Sequence, residues 1–115
     1  MNTFTPSTPI QMQIRQIIFE KYNDVEIKFT NDEIFESIKQ GKDLDPMWII
    51  DDLEPYINEI CKSGLTRNIA QNFTTIWLKL FDPVKQRHCN TCDHEIYLGE
   101  SEKQECPNPS CHATI

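Results

Sequence analysis

Two cysteine pairs lie close together late in the chain, Cys89-Asn90-Thr91-Cys92 and Cys106-Pro107-Asn108-Pro109-Ser110-Cys111, with 13 residues between them. Each pair is spaced to bring two thiols to one tight turn, and two such turns facing each other supply four thiolates. That is the donor set and the tetrahedron a structural zinc ion takes. The roughly 27 residues from Cys89 to Ile115 are too few to bury a self-sufficient apolar core, so a metal is the expected staple. Structural zinc supplies about 10–16 kcal/mol of apparent binding free energy, enough to hold such a segment. One Zn2+ per chain is therefore expected on Cys89, Cys92, Cys106 and Cys111.

Other uses of the same cysteines are disfavoured. The N-terminal residues show neither a basic region nor an apolar stretch, so no signal peptide is expected and the chain reads as intracellular (cytoplasmic in a prokaryote, nuclear in a eukaryote). In a reducing compartment paired cysteines bind metal more often than they form structural disulfides. A redox-active Cys-x-x-Cys normally opens a helix after a strand in a larger domain. Iron is accepted by four thiolates as zinc is. The second pair is longer than the commoner two-residue knuckle and is followed by His112. The fourth ligand therefore stays open between Cys111 and His112, with the thiolate symmetry of the first pair favouring Cys111. The pattern resembles a zinc ribbon, and the longer knuckle is similar to those of some ribbons in DNA topoisomerases. His88 and His94 flank the first knuckle and read as solvated surface residues. Cys61 falls in an apolar helical stripe and reads as an inert buried thiol. A closed four-thiolate site leaves no open position for a substrate, and no histidine stands in a recognisable nucleophile motif. No catalysis and no small-molecule substrate are expected.

The elements that must carry this site are legible upstream. Residues 1–7 have no periodicity and read as a disordered tail. Thr8-Pro9-Ile10-Gln11 reads as a capped helix start, followed by Ile10, Ile14, Ile17 and Ile18 at helical spacing up to about Tyr22. Val25, Ile27 and Phe29 alternate with polar residues as in a short strand. Thr30-Asn31-Asp32-Glu33 is a second capping box, opening a helix with inner face Ile34, Phe35 and Ile38. Asp45-Pro46 suits a single turn carrying Met47 and Trp48. A third helix is expected from Asp51 or Asp52, with the stripe Leu53, Tyr56, Ile57, Ile60 and Cys61, ending at Ser63-Gly64. Leu65–Ala70 and Thr74–Phe81 then form a hairpin turning around Gln71-Asn72-Phe73. Val84–His88 reads as a short polar, basic joint.

This order (helix, strand, helix, helix, hairpin) resembles the winged-helix domain over residues 8–82. The expected fold class is α+β, a small winged-helix-like domain followed by a zinc ribbon at 83–115. A different three-helix domain with an appended hairpin is the alternative. Only the ribbon should depend on metal, so chelation should unfold residues 84–115 and spare the helices.

Charge bounds the partners. With 11 basic and 18 acidic residues the net charge is −7, and a metal on four thiolates adds roughly two more negative charges. Such a chain is a poor non-specific ligand for nucleic acid. Residues 43–59 hold Asp43, Asp45, Asp51, Asp52, Glu54 and Glu59 with no Lys or Arg, so a third helix in the major groove is not expected. Residues 60–91 carry Lys62, Arg67, Lys79, Lys85 and Arg87 against the single acid Asp82. This stretch, with Asn68, Gln71, Asn72 and Phe73, is the candidate surface for weak DNA or RNA contact, the plain alternative being a solvated face. No run is apolar enough to cross a membrane.

A winged helix followed by a zinc ribbon is similar in layout to general transcription factor E of archaea and the alpha subunit of TFIIE, although this chain lacks their longer connector. That resemblance implies a non-catalytic accessory factor in a protein complex, docking on RNA polymerase or other nucleic-acid machinery near melted DNA. A protein–protein adaptor with no nucleic-acid role is the competing reading.

Overall fold

The first helix, α1 (Ile10–Lys21), buries Ile10, Ile14 and Ile18 along one stripe and Met12 and Arg15 along a second. The computed structural model describes residues 7–115. The tail expected at 1–7 thus lies outside the described residues except for Ser7, whose amide and hydroxyl are held by Asp43 at 2.7 and 2.9 Å. The capping box expected at Thr8 and Gln11 does not form. Pro9 takes the N-cap position with no side-chain cap, and its carbonyl accepts from Met12 and Gln13 at 3.0 Å. The Thr8 amide is instead claimed by Asp43 at 2.9 Å, which removes Thr8 from the helix end.

The strand expected over Val25–Phe29 shrinks to β1 (Phe29–Thr30). Asp24 explains the loss: its carboxylate accepts from the Glu26 amide at 2.8 Å and its carbonyl from Ile27 at 3.1 Å. A local turn has won over the sheet ladder. Helix α2 (Asn31–Gln40) follows with the expected cap, Thr30 Oγ1 accepting from the Glu33 amide at 3.2 Å. The turn at Asp45 forms, closed by the Trp48 amide on the Asp45 carbonyl at 3.0 Å.

Helix α3 (Ile50–Ser63) starts at Ile50, ahead of the expected Asp51 or Asp52, because Asp52 reaches back to the Ile49 amide at 2.8 Å. Pro55 lies beyond the first turn and leaves the Asp51 carbonyl without its helical donor, at an exposed residue. Gly64 ends the helix at φ 93°, a left-handed cap that a side chain would strain.

The hairpin is β2 (Thr66–Asn72) and β3 (Thr75–Leu80), turning at Phe73-Thr74 and so slightly later than expected. The pairing is antiparallel with an irregularity between Asn68 and Ala70, and β1 adds to the other edge of β3, giving the order β1-β3-β2. Ile76, Leu78 and Leu80 turn inward beneath the helices, beside Phe29, Ile34, Leu53 and Ile57.

The joint expected at Val84–His88 is a strand, β4 (Val84–Cys89), paired antiparallel with β5 (His94–Gly99). Its polar residues disguised it: β4 is exposed from Lys85 to His88, whereas Ile96, Tyr97 and Leu98 make β5 buried on both faces. The described residues are thus mixed α+β, three helices with two small antiparallel sheets. Packing runs straight across Asp82-Pro83. Val84 and Tyr97 belong to the helical core, and Met12 of α1 joins Ile96 and Leu98 in a second cluster. Asn23, just past α1, fixes the start of β4 by bonding both the amide and the carbonyl of Val84, at 2.6 and 3.0 Å. Among the described residues no helix is long and apolar enough to cross a membrane.

Candidate metal centre

Strand β4 delivers Cys89 to the mouth of the small sheet, buried at its end. The following turn doubles back through Asn90-Thr91-Cys92-Asp93, with the Asp93 amide on the Cys89 carbonyl at 2.8 Å and Asp93 at φ 59°. An aspartate tolerates this left-handed position better than most residues. The second knuckle is stiffened by Pro107 and Pro109, which fix φ on either side of Asn108. Asn108 is itself buried; its carboxamide oxygen accepts from the Ser110 amide at 3.0 Å and its carbonyl from Cys111 at 2.9 Å. A single bridge, Glu105 with Thr114, closes the base of this knuckle, and the Cys106 amide bonds Ala113 at 2.8 Å.

The sulfurs of Cys89, Cys92, Cys106 and Cys111 converge to within 4.8 Å of one another. Cys89 and Cys111 are 3.7 Å apart, as are Cys92 and Cys106. A tetrahedral ion with metal–sulfur bonds of about 2.3 Å requires sulfur–sulfur edges of about 3.8 Å. The two 3.7 Å separations match such edges, the other pairs lie within 4.8 Å, and all four cysteines are free rather than joined by the roughly 2.05 Å bond of a disulfide. The cluster could therefore hold a zinc ion. The four thiols would fill the tetrahedron of such an ion.

Local fields prepare the site unequally. The Cys92 and Thr91 amides, pointing at the Cys89 sulfur, hold its thiol down to about 6 against the opposing effect of burial. Burial pushes Cys106 up to about 12. A cation among the four would favour thiolate throughout.

Cys111 and not His112 joins the cluster. His112 sits at φ 56° with an exposed ring whose Nδ1 faces Glu105 at 3.7 Å. Cys61 stands elsewhere, half-buried on α3 beside the Thr66 hydroxyl at 3.4 Å, its thiol raised by burial. His88 is exposed and bridges the two strands. Its Nδ1 lies 2.8 Å from Glu95 and its Nε2 2.9 Å from Asp93, and the bond to Glu95 leads in raising its pKa. His94 is exposed at the start of β5.

Sequence reading missed the residue that ties this centre to the helices. Arg15 of α1 is buried, with Nη1 and Nη2 each 2.7 Å from an oxygen of buried Glu102. Nη1 also donates to the Tyr97 carbonyl at 3.0 Å, and the Gly99 amide donates to Glu102 at 2.9 Å. An added Cβ at Gly99 would stand 3.2 Å from the Leu65 side chain, which would have to shift by a few tenths of an ångström to admit it. The available signal was a second helical stripe, Met12, Arg15 and Phe19, with a charge in its middle.

The five basic candidates separate. Arg67 and Lys79 face each other across β2 and β3. Lys62 is exposed in the last turn of α3. Lys85 and Arg87 alternate along β4 in the other sheet, and Lys85 is paired with Glu100 at 2.5 Å. Several acids of the 43–59 stretch have structural duties: Asp43 on Ser7 and Thr8, Asp45 on the Met47 amide, Asp52 at the α3 cap. Compared with known protein families, curated proteins and solved structures, the chain matches none.

Proposed function

We propose that this chain is a non-catalytic, zinc-binding accessory factor in transcription or another nucleic-acid process, docking mainly on protein with a weaker nucleic-acid contact. The observation that carries the reading is the closed four-thiol cluster, fixed by β4, β5 and the second knuckle and seated against α1. A closed set of this kind acts as a staple rather than a Lewis acid. Zinc on Cys89, Cys92, Cys106 and Cys111 locks a ribbon whose buried residues lie against Met12 and Arg15, so the metal also fixes how the ribbon is presented beside the helices.

The transcription reading is supported by layout. The order α1-β1-α2-α3-β2-β3, with β1 beside β3, resembles that of a winged helix, and the four-cysteine unit follows it directly. A protein–protein adaptor is the second reading, favoured by the net charge of −7 and by Met47 and Ile49, which are exposed amid the acidic stretch. Affinity capture from native extract, with and without nuclease, separates the two. Recovery of nucleic-acid machinery supports the first; recovery only of proteins unconnected with nucleic acid, unchanged by nuclease, overturns it.

A further inference from the structure

The outer face of the three-stranded sheet departs from the rest of this acidic molecule. Strands β1, β2 and β3 contain no Asp or Glu, in a chain with 18 of them. Alternation along β3 sends Ile76, Leu78 and Leu80 inward and Trp77 and Lys79 outward. Register places Arg67 opposite Lys79 and Ala70 opposite Trp77. Lys28, just before β1, lines a groove of about 530 Å³ with Ile69, Ala70 and Trp77, within the size range of small-ligand sites. Trp77 is 39% exposed, a large fraction for an indole on a sheet, and Ile69 is 37% exposed where the ladder is irregular. Lys28, Arg67 and Lys79 form no salt bridge among the described residues, and the Arg67 guanidinium lies over the Phe81 ring at 5.9 Å. Asp32, which touches β3, accepts from the Thr75 hydroxyl at the hairpin end.

We propose that this sheet face is a stacking platform for an unpaired, thymine-rich DNA strand, with Trp77 against a base and Lys28, Arg67 and Lys79 along the phosphates. The proposal rests on the nucleic-acid reading above and names its ligand. An aromatic face flanked by cations is what single strands bind, since every base offers a π-face while duplex bases are already stacked. Ile69 and Ala70 wall the groove with apolar atoms, which suits the thymine methyl. Uracil lacks that methyl, so an RNA strand gains less from the same apolar wall. Lys85, paired with Glu100 on the other sheet, is left out.

The test is binding of a labelled 15-nucleotide oligo-dT to the full zinc-loaded chain at low salt, read by anisotropy and tryptophan emission. Expected are quenching that survives Trp48→Phe and is lost in Trp77→Phe, and affinity about tenfold weaker in Trp77→Ala. Three neutralised phosphates predict a log–log salt slope of about −2. Arg67→Glu with Lys79→Glu should abolish binding, while Lys85→Glu should not change it. Circular dichroism and zinc content check the fold of each variant, and the Trp77→Phe quenching result stands even if Trp77→Ala is unstable. No binding to oligo-dT, equal binding of duplex DNA or oligo-rU, or full quenching in Trp77→Phe overturns the proposal. Capture of nucleic-acid machinery together with no oligo-dT binding would remove this inference alone and leave the proposed function standing.

Discussion

Arg15 on α1 and Glu102 after β5 form a bidentate ion pair, two bonds of 2.7 Å, with both side chains almost wholly buried. A buried pair is not in itself strongly stabilising, because two charges must be desolvated. Removing one partner is another matter, since it strands a charge beside the Tyr97 carbonyl and the Gly99 amide. Arg15→Met or Glu102→Gln should cost about 3–5 kcal/mol in urea unfolding. The Arg15→Met, Glu102→Met double variant should recover much of that loss. A loss under 1 kcal/mol for either single change would show the pair to be slack.

Metal removal should be felt beyond residues 84–115. Met12 packs with Cys89, Ile96 and Cys106, and Phe19 lies 5.0 Å from the Tyr97 ring. Chelation is therefore expected to release residues 84–115 and to expose one side of α1 with them. By hydrogen exchange, α1 amides should lose protection together with β5, while α2 and α3 keep theirs. This revises the expectation that all helices are indifferent to metal; unchanged α1 protection would restore it.

How far the sequence could be read follows from this seam. The cysteine spacing announced the four-thiol cluster, and Thr30 with Glu33 announced α2, because both signals are local. Strand β4 was hidden because its partner β5 carries the burial for both, leaving Lys85 to His88 polar. The role of Arg15 went unread because its partner lies 87 positions away. Asp24 defeated the strand at Val25 by a side-chain bond that alternation does not encode. Cysteine spacing and the Thr30 cap were legible, whereas long-range polar pairing and the local competition of Asp24 for the backbone were not.

The fourth position of the cluster is open to direct test. His112→Ala should leave metal content and cobalt-thiolate absorption unchanged, since its ring faces Glu105. Cys111→Ser should lose one sulfur from the coordination sphere and most of the metal affinity. The reverse pattern would move the ligand to His112.

Asp43 predicts an acid-sensitive N-terminal anchor. Burial acts to raise its pKa, but the Ser7 and Thr8 amides and the Ser7 hydroxyl together outweigh it and hold the carboxyl below its ordinary value. A group lowered in the folded state contributes stability above its unfolded pKa, about 3.9, and loses it as pH falls through the folded value. The Thr8 amide should lose exchange protection in that acid range, and Asp43→Asn should lose it at neutral pH. Protection that persists in Asp43→Asn would show that other contacts hold the segment.

The central claim is that one zinc ion staples Cys89, Cys92, Cys106 and Cys111, whose sulfurs already lie within 4.8 Å. Elemental analysis of the purified chain tests it most directly. The account predicts one zinc per chain, lost in Cys106→Ser. Absence of zinc from the purified chain, or full zinc retention in Cys106→Ser, would contradict it.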